Sequence, residues 1–237
     1  MSQNSKKRIC IIIPAFNEEE TIGDVILSIK KELKKSSFDA EVIVVNDASR
    51  DTTSQIASEK GALVINHILN SGSGGATATG LSYAEQNGFD IAATMDADGQ
   101  HSPKDVLKGI EEITRRKHDL LIGSRLINSE GMSKVKVLGN KGLSFITYLL
   151  FRVNSTDSQS GLRIFSKRAL EELQWETQGY EFCSEMLWRA KQIGLKISEY
   201  PITAIYTEYS KRKGQNNWNG INIVKSLLKH RIAEIFG

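Results

Sequence analysis

The chain has 237 residues, 40% of them hydrophobic and 25% charged, which is enough for one well-buried α/β core with a small C-terminal appendage. A net charge of +3 is too small to mark a nucleic-acid binder, although the excess of Lys and Arg after about residue 205 makes the tail locally basic. Two cysteines, Cys10 and Cys183, exclude a disulfide framework and fit a reducing compartment; the five apolar residues at 9–13 are too few for a signal core or a membrane span.

Residues 9–13 form a β-branched run ended by Pro14, and 41–45 repeat the pattern before Asn46 and Asp47, so both predict buried parallel strands. Between them, residues 21–33 place Ile22, Val25, Ile26 and Ile29 on one helical face. The alternation continues with a helix predicted over 51–60, a strand over 62–65, a helix over 76–86, a strand over 91–95, a helix over 103–116 and a strand over 120–122. This rhythm predicts a mostly parallel sheet covered by helices on both faces. Beyond 123 it loosens into a helix over 139–151, a strand over 162–165 and a helix over 182–192. The reading is one domain over 1–217, with a nucleotide-binding half at about 8–123 and an acceptor half at about 124–217, followed by an amphipathic helix over 218–237.

In an open parallel sheet, ligands bind at the carboxyl ends of the strands. Asn17 and Glu18 follow the first predicted strand, Asp47 the second, the run from Asn70 to Gly75 the third, and Asp96 and Asp98 the fourth. Asp96 and Asp98, two apart on an extended segment, send their carboxylates to one side, where they converge on a hard cation, and Gln100 continues the row. Magnesium or manganese there would bridge two phosphates and offset charge on a leaving diphosphate. The plain alternative for such a triplet is a solvated loop. Ser49 or Asp51 is expected to cap the helix after Asp47, leaving Asp47 free to accept from a base edge; the alternative is that Asp47 is itself the cap. Gly72, Gly74 and Gly75 are either a flexible turn or a place where backbone approaches phosphate at a helix N-terminus.

Taken in order, Ile13-Pro14-Ala15-Phe16-Asn17-Glu18-Glu19, Val45-Asn46-Asp47-Ala48-Ser49-Arg50-Asp51-Thr52, Met95-Asp96-Ala97-Asp98-Gly99-Gln100-His101 and Gly123-Ser124-Arg125 resemble the family 2 glycosyltransferases of the GT-A fold. The branch that looks most similar is the polyprenyl-phosphate sugar synthases, such as dolichyl-phosphate mannose synthases, over residues 8–208. The resemblance implies a nucleoside pocket lined by Pro14, Ala15, Asn17 and Glu18, a base contact at Asp47, and a metal and diphosphate segment at Asp96, Ala97, Asp98 and Gln100. It also implies that Arg125 and Arg163 receive phosphate groups and that Asp157 is the acidic residue preceding Ser160-Gly161-Leu162-Arg163. The chain departs from the family pattern at Asn46, where Asp is frequent, and at Ser73, where Lys is frequent. The basic residue expected after Gly-Ser-Arg falls to Lys134 or Lys136.

The implied chemistry is inverting transfer of a sugar from UDP or GDP to a polyprenyl phosphate. An ionised phosphate needs positioning by arginines more than it needs a base, whereas a hydroxyl acceptor on a growing glycan would need one, with Asp157 the first candidate. Asp157 is otherwise expected to orient Arg163 or to serve as a turn residue, and Arg163 is alternatively a surface residue. Glu185 is either a buried functional acid or a first-turn acid favoured by the helix dipole. Trp218, Ile221, Val224, Leu228, Ile232 and Ile235 recur at helical spacing, with Lys225 and Lys229 on another side. Such a tail lies in a membrane interface, packs on the domain, or docks on a small membrane protein. A peripheral position at the cytoplasmic face of the membrane follows. The reading outside catalysis is an inactive nucleotide-sugar-binding subunit, which the intact Asp96, Asp98 and Gln100 oppose.

Overall fold

The computed structural model describes residues 7–130, 132–206, 209 and 223–229. Its strands are β1 (Ile9–Ala15), β2 (Ala40–Asn46), β3 (Leu63–Asn66), β4 (Ile91–Thr94), β5 (Leu120–Ser124), β6 (Arg163–Ser166) and β7 (Ile197–Pro201). Its helices are α1 (Ile22–Leu33), α2 (Thr53–Glu59), α3 (Gly72–Gln86), α4 (Pro103–Arg116), α5 (Lys134–Phe151), α6 (Lys167–Glu172) and α7 (Phe182–Gln192). All seven strands join one sheet in the order β3-β2-β1-β4-β6-β5-β7. Pairing is parallel except at β6, which runs antiparallel between β4 and β5. The architecture is therefore the mostly parallel α/β sheet that the alternating pattern predicts, with one reversed strand bringing the second half of the chain into the sheet.

The unbroken apolar run of β1 follows from burial on both faces. Cys10 and Ile12 enter one core cluster with residues of α3, α6 and α7, while Ile9, Ile11 and Ile13 enter another with α1 and α4. The face of α1 is the predicted one: Ile22, Val25, Ile26 and Ile29 are buried. Pro103 opens α4 behind Ser102, whose hydroxyl accepts from the Lys104 amide, and Lys117 closes it in the left-handed conformation at φ 54°.

Several elements depart from the sequence pattern. α3 begins at Gly72 rather than at 76, so the glycine run is helix and not a turn. α5 begins at Lys134 rather than 139, capped by the Ser133 hydroxyl accepting from Lys136 N; helix tolerates Gly139 and Gly142 there because both face open space. α6, at six residues, is too short to show a helical period, and β7 shows no clean alternation, its residues Ile197 to Glu199 all being half-buried; neither was predicted.

In the tail, residues 223–229 are helical, with Ile223 and Leu227 buried in the core cluster that contains α7 and with Leu228 exposed. The packed face is thus Ile223 and Leu227, not the predicted stripe through Val224 and Leu228. Trp218, Ile221, Ile232, Ile235 and most of the basic segment 206–215 lie outside the described residues. Among the described residues, no helix is long and apolar enough to cross a membrane.

Candidate active site

The carboxyl ends of the central strands open into a cavity of about 1040 Å³. Pro14, Ala15 and Glu18 reach it from β1, Asp47 from β2, Asp96, Ala97, Asp98 and Gln100 from β4, and Arg125 from β5, with Arg163 at the start of β6. The inner side of α5, through Lys136, Asn140 and Leu143, forms another wall. One edge of the sheet thus collects most of the residues that the sequence singled out, as strand-end geometry requires.

The acidic part is built by a turn, not by an extended strand as predicted. β4 ends at Thr94, and Ala97 and Asp98 sit in a turn that Gly99 closes at φ +76°. Asp98 accepts from Gln100 N at 2.9 Å and from the Gln100 side-chain amide, so Gln100 steadies Asp98. Burial, and then the neighbouring Asp96 charge, push the Asp98 pKa up; burial also raises that of Asp96. His101 is buried, and its Nδ1 accepts from Asp96 N at 3.2 Å. Burial and then Arg125 lower its pKa to about 4, so it is neutral near pH 7. Among the described residues there is no group of three or more His, Cys, Asp or Glu that would hold a metal unaided. A pair of oxygen donors suits a hard cation that takes its remaining ligands from a bound diphosphate.

The basic part centres on Arg125. Its Nε and Nη2 donate to Asp157 Oδ2 and Oδ1 at 2.7 and 2.8 Å, and its backbone N donates to Oδ2 at 3.0 Å. Burial disfavours the guanidinium charge, but this bidentate pairing outweighs it and raises the pKa, so Arg125 is permanently charged. Asp157 is fully buried and does not line the cavity. It orients Arg125 rather than Arg163, and with both oxygens taken it is in no position to act as a base. Tyr206 lines the cavity near this pair, and the Lys136 ammonium lies 4.5 Å from its ring centroid. Of the two candidate lysines, Lys136 and not Lys134 lies on the cavity wall, which Lys225 also lines; Lys134 starts α5 outside it.

Arg163 is 1% exposed, which removes the surface alternative. It donates to the carbonyls of Ser160, Ser158 and Cys183 and to Met186 Sδ, leaving at most one of its five N–H groups for a phosphate. It therefore fixes the 158–163 loop. Gly161 in that loop touches the acidic turn: a Cβ there would sit 2.3 Å from Asp96 Oδ1.

The donor-side expectations need three corrections. Asp47 is 3% exposed and not free: Oδ1 accepts from Ser71 N and Oγ and faces His67 Nδ1 at 2.8 Å, while Oδ2 accepts from Gly72 N at 2.8 Å. Burial alone would raise its pKa, but these bonds win and hold it below the ordinary carboxylate value. Asp47 thus caps α3, while Asp51 accepts from the Thr53 amide of α2. Secondly, two of the first amides of α3 are occupied, Gly72 N by Asp47 and Gly74 N by Gln178 O at 2.7 Å. Gly74 is glycine because a Cβ would lie 2.5 Å from Thr177 O, not because phosphate approaches it. Thirdly, Asn17, at φ 53°, does not line the cavity: its Oδ1 accepts from Arg50 N and its N donates to Ser49 Oγ, joining two loops. Glu18 does line the cavity, and its Oε2 accepts from Tyr209 at 2.7 Å. Glu185 is buried and accepts from Glu176 N, Thr177 N and Arg189 Nε, a structural clamp.

Sequence reasoning passed over His101, Tyr206 and Tyr209 as site residues, and it left Lys136 as one of two alternatives. His101 lies inside the quoted acidic motif, so a signal was present; the two tyrosines belong to a stretch without periodicity.

Residues 10–174 match the family described as Glycosyl transferase family 2. The chain belongs to that family. It is 42% identical over 251 residues to a UDP-N-acetylglucosamine–dolichyl-phosphate N-acetylglucosaminyltransferase of Methanococcus voltae, covering 97% of this chain and 98% of the relative. It is 30% identical over 218 residues to an undecaprenyl-phosphate mannosyltransferase of Micrococcus luteus, covering 87% of each. The fold is similar, at TM-score 0.69 and 21% identity, to glucosyl-3-phosphoglycerate synthase from Mycobacterium tuberculosis in complex with Mn2+ and UDP-glucose, covering 95% of this chain and 79% of that one. The protein is a glycosyltransferase of the GT-A architecture.

Proposed function

We propose that this glycosyltransferase transfers a sugar, with inversion, from a UDP-sugar to the phosphate of a polyprenyl phosphate at the cytoplasmic face of a membrane. The observation that carries the phosphate over a hydroxyl acceptor is the Arg125–Asp157 pair. A hydroxyl needs a base, and the carboxylate beside Arg125 has both oxygens bound to it. A phosphate arrives ionised and needs positive charge, which Arg125 and Lys136 on the cavity wall supply. The names of the two relatives agree with this acceptor, and the M. voltae relative's name supports a UDP donor.

In the reaction, an acceptor phosphate oxygen forms a bond to the anomeric carbon as the bond from that carbon to the diphosphate breaks, and the nucleoside diphosphate leaves with the electron pair. Arg125 holds the attacking phosphate, and its pairing to Asp157 fixes the approach direction. Asp96 and Asp98 would hold the magnesium or manganese ion, which supplies charge neutralisation for the departing diphosphate. Pro14, Ala15 and Glu18 border the space for the nucleoside.

Incubation of the protein with labelled UDP- and GDP-sugars, polyprenyl phosphate, and magnesium, manganese or chelator tests this reading. It predicts a cation-dependent, lipid-extractable product from a UDP-sugar. Transfer from GDP-sugars alone would overturn the donor assignment, and full transfer in chelator would overturn the metal.

A further inference from the structure

α5 does two things at once. Taking about 100° per residue, one side of the helix carries Lys136, Asn140, Leu143 and Ile146 to the cavity wall. Ser144, Thr147 and Phe151 follow on the buried side. The remaining side carries Val135, Leu138, Phe145 and Leu149, which fall within an arc of about 80° and are 74, 75, 60 and 50% exposed. Tyr148, 42% exposed, Lys141 and Lys134 flank that stripe. The helix contains no Asp or Glu, and the Arg152 guanidinium lies 5.8 Å from the Tyr148 ring centroid just beyond its end.

Four large apolar side chains on one exposed arc are more than a scattering of surface hydrophobics. An aliphatic and aromatic stripe edged by lysines, with no acid on the helix, has the chemistry of an interfacial helix on an anionic lipid surface. Position supports the same occupant, because the stripe adjoins the cavity wall: Val135 belongs to both. A lipid whose tail stays in the bilayer would therefore present its phosphate next to Lys136 and Arg125.

We propose that the exposed face of α5 is the surface by which this enzyme docks on an anionic bilayer, turning the cavity mouth toward the lipid. This rests on the polyprenyl-phosphate reading for its purpose, but its test does not. The full chain is floated with vesicles of phosphatidylcholine containing about one-third phosphatidylglycerol, without donor or acceptor. Wild type floats, and Leu138→Glu/Phe145→Glu floats about tenfold less while melting at the wild-type temperature, since both side chains are exposed. Lys134→Ala/Lys141→Ala binds less and loses its preference for the anionic lipid. With a short-chain, water-soluble polyprenyl phosphate, Leu138→Glu/Phe145→Glu keeps wild-type turnover, so only vesicle-borne acceptor is lost. The proposal is overturned if wild type fails to float, if the double variant floats undiminished, or if wild type is a dimer that Leu138→Glu/Phe145→Glu splits without affecting vesicles. Flotation by α5 with no transfer to any polyprenyl phosphate would sink the proposed acceptor and leave the docking surface standing.

Discussion

The two ends of the cavity treat charge in opposite ways. After β4, Asp96 and Asp98 crowd together, and among the described residues no Lys or Arg forms an ion pair with either. After β5, Arg125 is held by a fully buried carboxylate that faces it alone. The first arrangement suits binding a cation and, through it, the diphosphate that must leave; the second suits presenting a fixed positive edge to an anion that must attack.

The largest effect expected is at the acidic end. Asp98→Ala should lower transfer by about a thousandfold with little change in melting temperature, as loss of a charge-stabilising group does. Retained activity would collapse the contrast between the two ends. At the basic end, Arg125→Ala should cost about a hundredfold in kcat/KM for the acceptor. Asp157→Asn adds a stability signature, about 3 kcal/mol lost in denaturant melts, because it removes the negative charge that a largely buried guanidinium is paired with. A base at Asp157 would instead show as lost kcat and a changed pH-rate profile with no stability loss.

A smaller effect probes the contact between the 158–163 loop and the acidic turn. Gly161→Ala places a methyl group against Asp96, whose carboxylate is the movable member, so about a tenfold activity loss is expected in a folded protein. Smallest is a pH effect on stability. Asp47 and Glu185 are both held below their ordinary values, in each case because hydrogen bonds outweigh the opposing effect of burial. Groups of that sign contribute stability above their unfolded pKa and lose it as pH falls through the folded one. The melting temperature should therefore drop on acidification below about pH 4, and less steeply in Asp47→Asn, which starts lower.

How far the sequence carried differs between the same two regions. Much of the donor half was legible because β1 is buried on both faces and α1 shows a full amphipathic period, so Ile9 to Ile13 and the face of α1 could not be misread, whereas α3, with no clear apolar face, hid its start. The same pattern puts Asp96 and Asp98 at the end of β4, but not the turn that carries them. What sequence alone missed was pairing: Asp157 with Arg125 rather than Arg163, and Asp47 with Ser71 and Gly72 rather than with a ligand. These partners lie 32, 24 and 25 residues apart, and only the path of the chain brings them together. The antiparallel insertion of β6 likewise leaves no mark on a four-residue strand.

The most direct test offers the enzyme, in one tube, a labelled UDP-sugar with equal amounts of a polyprenyl phosphate and of a lipid-linked saccharide bearing only hydroxyl acceptors. Label confined to a mild-acid-labile sugar-phospholipid is the predicted result. Label confined to the extended saccharide would contradict a site built around Arg125 and a fully engaged Asp157.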